Sequence, residues 1–173
     1  MTTAIEQTLE TYGIENWGAG YFGINRKGNL VVHPAEGDSK ASADVKEIID
    51  DLRRRGISTP VLLRFPQLVT AQVRKLQRAF RNAIAIEPRF ADAHAGLGDT
   101  EAAAGDWRSA ASAYADAARY APRWGKLHLK WAAALWNGGR QGEARAKLDA
   151  ASTMALSGAD RALLGRLQAT AAQ

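Results

Sequence analysis

Three histidines, seven lysines and one glycine-rich hexapeptide are the features of this chain whose types and spacing could do chemistry. His94 and His128 stand 34 residues apart in stretches that otherwise match, so they fall at equivalent places on successive helices. As a metal pair they would need carboxylate company at bond lengths of about 2 Å. Asp92 and Asp99 are near in sequence, but a histidine in such a place reads first as a packing residue. His33 lies far from both. No serine–histidine–aspartate set and no phosphate-binding P-loop has sequence support. GAGYFG (18–23) fits G-x-G-x-x-G literally. That pattern cradles a dinucleotide where it follows a strand and opens a helix. Here it enters a hairpin, so its glycines read as turn residues. The chain has no cysteine, which excludes a disulfide framework and thiolate metal sites. The residues therefore lead to an expectation of no metal and no catalytic set.

The elements that must position these side chains change character near residue 88. Before it, GYFGIN (20–25) and LVVHP (30–34) flank RKGN (26–29), a β-hairpin pattern in which Gly28 takes a positive φ cheaply. AEGDSKAS (35–42) reads as polar loop. Ser42 is positioned to cap a helix running through Arg55, with Val45, Ile48, Ile49 and Leu52 on one stripe, and Gly56 ends it. PVLLRF (60–65) suits a short buried strand. Pro66 suits the first turn of a further helix carrying Leu68, Val69, Val73, Leu76, Phe80, Ala83 and Ile84, which runs to about Ile86.

After residue 88 the chain repeats itself. Pro88 and Pro122, Leu97 and Trp131, Gly105 and Gly139, Ala110 and Ala144, Tyr114 and Leu148, and Ala117 and Ala151 are each 34 apart. A period of 34 with two helices per unit signals stacked helical hairpins. The predicted pairs are 91–105 with 106–122 and 124–139 with 140–156. Small residues Ala95, Gly98 and Ala102 let the partner helix approach, and Gly105 and Gly139 close the tight turns. Residues 157–173 form a final helix that covers the last repeat's apolar face. The expected organisation is thus 1–88 and 89–173. The fold is mainly α, with helical-hairpin repeats and a small α+β N-terminal segment in the order hairpin, helix, strand, helix.

Composition excludes several classes. Apolar content of 46 % and charged content of 24 % are ordinary for a globular protein. The net charge of +5 is spread over both halves rather than gathered on one face, which argues against a nucleic-acid partner. Arg53, Arg54 and Arg55 suit a helix end, and Arg119, Arg123, Lys126 and Lys130 are the other basic set. No apolar run reaches the roughly 20 residues of a membrane span. The start MTTAIEQTLETYG lacks a basic region followed by an apolar run, so a cytoplasmic protein without a membrane partner is expected. Trp107 and Trp131 fall on packing positions, whereas Trp17, Trp124 and Trp136 are expected to be partly exposed.

Residues 91–158 resemble the tetratricopeptide repeat (TPR) family over two full units. The second departs from the family pattern at Ala132, where glycine is usual, and at Leu156, where proline is usual. The resemblance implies that a peptide or protein segment binds in the concave groove lined by the first helix of each pair. By position the groove residues are Asp92, Ala95, Asp99 and Ala102, then Lys126, Leu129, Ala133, Trp136 and Asn137. Trp136 is the best anchor among them, since partly exposed tryptophans are frequent hot spots. The Lys–Asn pair that grips a C-terminal carboxylate in chaperone-binding members is absent, with Ala95 and Asp99 in those places.

YGIENWGAGYFGINRKGNLVVHP, VKEIIDDLRRRG and TPVLLRFPQLVTAQVRKLQRAFRNAI, within residues 11–84, carry a different resemblance. They are similar to the N-terminal segment of biosynthetic arginine decarboxylase, a pyridoxal-phosphate enzyme of polyamine synthesis. In that family the segment supplies an edge of a β-domain and the first strand and helix of a (β/α)8 barrel. The family's Schiff-base lysine follows in a Lys-x-Asn-Gln motif. Here none of Lys27, Lys40, Lys46, Lys75, Lys126, Lys130 and Lys147 is followed by x-Asn-Gln. One strand and one helix also cannot close a barrel that takes eight. The implied expectation is a non-catalytic interaction module without a cofactor of its own, with pyridoxal phosphate belonging to a complete decarboxylase. The alternative is a relative of that enzyme, inactive alone. The hairpin's apolar face makes self-association a further expectation.

Overall fold

The computed structural model describes residues 4–33, 42–58 and 60–171. Contacts divide the chain into two compact units, Met1–Gln72 and Val73–Gln173. The boundary falls inside one long helix.

The first unit opens with two short helices, α1 (Ala4–Thr11) and α2 (Ile14–Gly18). Strands β1 (Phe22–Ile24) and β2 (Leu30–Val32) form the expected hairpin, antiparallel with Gly23 opposite Val31. Asn25 shapes its turn, accepting from the backbone amides of Lys27 and Asn29, and Gly28 sits at φ +79°. A third strand, β3 (Ala43–Asp44), pairs antiparallel with β2, giving sheet order β1-β2-β3. Helix α3 (Val45–Arg54) follows. The small core holds Ile14, Tyr21, Val31 and Val32.

Two sequence expectations change here, and two helices are added. The cap of α3 is Asp44 rather than Ser42: its carboxylate accepts from the amides of Lys46 and Glu47. It also accepts from the side-chain amides of Asn25 and Asn29, tying helix to hairpin at 2.7 and 2.9 Å. The Asn29 bond leads in holding this carboxyl below the usual range, with burial opposing. PVLLRF forms no strand over its residues 60–65, and Leu62 is 75 % exposed. A strand needs an edge to pair with, and among the described residues no strand pairs with this segment. Helices α1 and α2 precede the region where periodicity gave a signal. GAGYFG closes α2 and leads into β1, with Ala19 and Gly20 at positive φ. That helix-to-strand order is the reverse of a phosphate-binding turn. The polar stretch 35–42 lies, except for Ser42, outside the described residues.

Helix α4 (Pro66–Ile86) has the extent its sequence predicts, with Pro66 in its first turn where no amide partner is lost. The second unit then stacks two helical hairpins: α5 (Ala91–Ala103) with α6 (Trp107–Tyr120), and α7 (Gly125–Asn137) with α8 (Gln141–Ser152). Helix α9 (Gly158–Ala171) packs on α7 and α8. Gly105 and Gly139 hold φ +80° and +78° at the two hairpin turns. The small residues do what their spacing implies: a Cβ on Gly98 would lie 2.5 Å from the Tyr114 ring. Asp106 caps α6 by accepting from the Ser109 amide, a bond that also lowers its pKa.

The unit's core falls into two clusters. One joins Ala95, Ala110, Tyr114, Ala117, Leu127 and Leu135, and the other Leu129, Ala132, Leu148, Ala151 and Leu164. Each fully buried leucine contributes roughly 1.5–3 kcal/mol. The fold is mainly helical and TPR-like. No helix among the described residues is long and apolar enough to cross a membrane.

Candidate binding groove

The first helices of the two hairpins, α5 and α7, are joined by a polar contact. Lys130 donates to both carboxylate oxygens of Asp99, at 2.8 and 2.6 Å. The Tyr114 hydroxyl donates to the same carboxylate at 2.7 Å. Burial, and then this bond, push the Tyr114 phenol pKa up. Asp99 is thus a strut between helices, and a partner reaching it would have to compete with Lys130.

The other sequence-derived groove residues fare differently. Asp92 in the first turn of α5 is exposed, as are Lys126 and Asn137 on α7. Trp136 is half-buried and packs against both core clusters, so its ring is rigidly seated with one part open. Asn137 donates its amide to the Ala133 carbonyl at 3.0 Å, leaving its side-chain oxygen free of that bond. Ala133 and Ala102 are half-buried and Ala95 is buried. Leu129 requires a correction. It is 0 % exposed, packed with Leu148 of α8 and Leu164 of α9, and cannot meet a partner while α9 is seated. The repeat period places Leu129 on the first-helix face but carries no information about the non-repeating helix that covers it.

Residues that periodicity did not single out for the groove also stand out. Lys147 sits over the Trp131 ring at 3.8 Å, a cation–π contact. Arg145 donates to the Ala171 carbonyl, holding the end of α9. A cleft of about 440 Å³ lies beside it, lined by Arg145, Leu148, Asp149, Gln168 and Ala171. The i to i+3 or i+4 spacing on α8 would have grouped Arg145, Leu148 and Asp149, but not their partners on α9.

His94 and His128 are spent on structure. His94 Nε2 lies 2.9 Å from the Pro88 carbonyl and His128 Nε2 lies 3.0 Å from the Pro122 carbonyl. A carbonyl only accepts, so Nε2 carries the proton in both. Each histidine thus clasps the turn that precedes its helix. Among the described residues no group of three or more His, Cys, Asp or Glu could hold a metal ion.

Pyridoxal phosphate needs a lysine free to form an imine and a group to cradle its phosphate. Lys27 is paired with Glu47, Lys46 with Asp50 and Lys130 with Asp99. Lys147 is over Trp131, and Lys40 lies outside the described residues. Among the described residues, neither the cleft beside Arg145 nor one of about 370 Å³ lined by Glu6, Leu9, Glu10, Gly13, Glu15 and Asn16 has a lysine in its lining. The second is acidic, which opposes a phosphate. Lys75 and Lys126 lie in neither lining, so neither of these two clefts brings an imine-forming lysine together with a phosphate cradle.

No family model matches the chain. It is similar to two different kinds of protein. Over 82 residues it is 43 % identical to the biosynthetic arginine decarboxylase of Trichlorobacter lovleyi, covering 47 % of this chain and 13 % of the enzyme. Over 80 residues it is 45 % identical to that of Citrifermentans bemidjiense, covering 46 % and 12 %. The match is to the N-terminal part of the enzyme, about an eighth of its length. Among solved structures, the Yersinia enterocolitica type III secretion chaperone SycD in complex with a peptide of the translocator YopD matches with TM-score 0.52 at 18 % identity. That likeness covers 71 % of this chain and 88 % of SycD. A thermophilic TPR protein of Thermus thermophilus matches with TM-score 0.50 at 23 % identity, over 60 % of this chain and 59 % of that one. The two structural likenesses support the TPR-like helical fold.

Proposed function

We propose that this chain is a non-catalytic interaction module that holds an extended peptide or protein segment against α5 and α7. The observation that carries this reading is the seating of Trp136. Its ring is fixed by both core clusters, remains partly open, and lies on the same helix as exposed Lys126 and Asn137. A rigid aromatic beside polar groups is the arrangement that hot spots favour, because little side-chain entropy is lost on binding. The Lys130–Asp99 strut fixes α5 beside α7 before any partner arrives. SycD, which shares the fold, is described in complex with a peptide, which supports a protein ligand here.

A peptide library selected on the immobilised full chain tests this. Selected peptides are expected to bind in solution, and Trp136→Ala with Lys126→Glu to weaken them at least about tenfold. No enriched sequence, or equal binding to the double variant, would sink the reading.

A second reading rests on the 43 % identity to arginine decarboxylase: residues 1–88 are a relative of that enzyme's N-terminal segment, inactive alone. Adding pyridoxal phosphate and arginine to the chain is expected to give neither an imine absorbance band nor turnover. Either signal would overturn the claim of inactivity.

A further inference from the structure

Helix α4 stands in the sequence register of a second helix of a hairpin, and among the described residues no helix fills the register of its first. Phe80, Ala83 and Pro88 stand 34 residues before Tyr114, Ala117 and Pro122, so α4 shares its register with α6 and α8. One flank of α4 is used. The Phe80 ring rests where a Cβ on Gly96 would be, and Gln77 and Arg81 donate to the buried Glu101 carboxylate of α5 at 2.9 and 2.8 Å. The other flank is open. Ala110 and Ala144 each sit at 0 % exposure against the first helix of their own hairpin, whereas Leu76, at the equivalent position on α4, is 50 % exposed.

The stretch in that register, 57–69, holds Pro60 and Pro66, and its described residues up to 65 are not helical. Helix α4 itself begins at Pro66. Charge selects the occupant. Helix α4 presents exposed Arg74 and Arg78, its Arg81 is spent on Glu101, and it has no acidic residue. Pairing with α4 of a second copy would bring like charges together. The helix it already binds, α5, has the opposite balance, with Asp92, Asp99 and Glu101 and no lysine or arginine.

From this we infer that the open flank of α4, centred on Leu76 and Ala79, docks an amphipathic acidic helix of another protein. That helix completes a third hairpin in the manner of α5. The site is separate from the groove on α7 and stands whether or not a peptide binds there.

The test uses the full chain and two fluorescein-labelled, stapled helical peptides of the length of α5, 13 residues. Both carry one leucine stripe, flanked by glutamates in one and by lysines in the other. Fluorescence anisotropy is expected to show saturable binding of the glutamate peptide alone. Leu76→Asp and Arg78→Glu are each expected to weaken it at least about tenfold, and Trp136→Ala to leave it unchanged. Circular dichroism confirms that the variants remain folded, and the Arg78→Glu change lies on an exposed face. No binding of the glutamate peptide, equal binding of the lysine peptide, or loss through Trp136→Ala would each overturn the inference. So would sedimentation showing a wild-type dimer that Leu76→Asp dissociates, because the flank would then belong to a second copy.

Discussion

Leu76 and Ala110 share one place in the repeat, yet one is half exposed and the other sealed. The difference lies in their neighbours. Ala110 faces α5, whose small residues allow close approach, and among the described residues no helix of its own hairpin covers the larger Leu76. In a stacked-hairpin fold each unit contacts only its neighbours. A position's burial therefore depends on whether the adjacent unit exists, not on the residue at that position. Helix α4 has the residues of a packing helix on both flanks and the packing of one.

Substitutions that exchange the two environments test this contrast. The largest effect is expected from Ala110→Leu, which forces extra methylenes into a filled position and should cost about 2 kcal/mol in denaturant unfolding. A change under about 0.5 kcal/mol would show that the α5–α6 interface is not close-packed. Next comes Tyr114→Phe, which gives α6 the ring that α4 has at Phe80 and removes the bond to Asp99. It should cost about 1 kcal/mol at neutral pH. The sign of its pH dependence follows from the raised phenol pKa. The folded state favours neutral Tyr114, so its contribution is full below the unfolded value of about 10 and falls as the solution becomes more alkaline. The Phe variant should accordingly lose less stability than wild type between about pH 9 and 11. An identical alkaline decline in both would remove Tyr114 from that account. The smallest effect is expected for Leu76→Ala, under about 0.5 kcal/mol, as for an exposed position. A loss of several kcal/mol there would mean that the flank is already covered.

Much of the second unit was legible in the sequence because its contacts are local and recur. Pro88 and Pro122, Gly105 and Gly139, and the helix 66–86 are legible from spacing, and the helices form there. What spacing missed depends on partners from outside the period. Leu129 is covered by α9, which does not repeat. Asp99 is engaged by Lys130, 31 residues away on the next first helix, and no local pattern pairs them. In the first unit, PVLLRF has a strand's composition but no edge to pair with, while Asp44 gains its role by meeting Asn25 and Asn29 across the hairpin. For the expected groove, spacing names residues of the first helices but not which of them are spent on holding the helices together.

Hydrogen–deuterium exchange on the full chain, with and without a saturating peptide selected as above, tests the central claim most directly. The account predicts slowed exchange in Gly125–Asn137 and Ala91–Ala103, strongest around Trp136, with Phe22–Val32 unchanged. Protection confined to the hairpin and α3, or none at saturation, would contradict it.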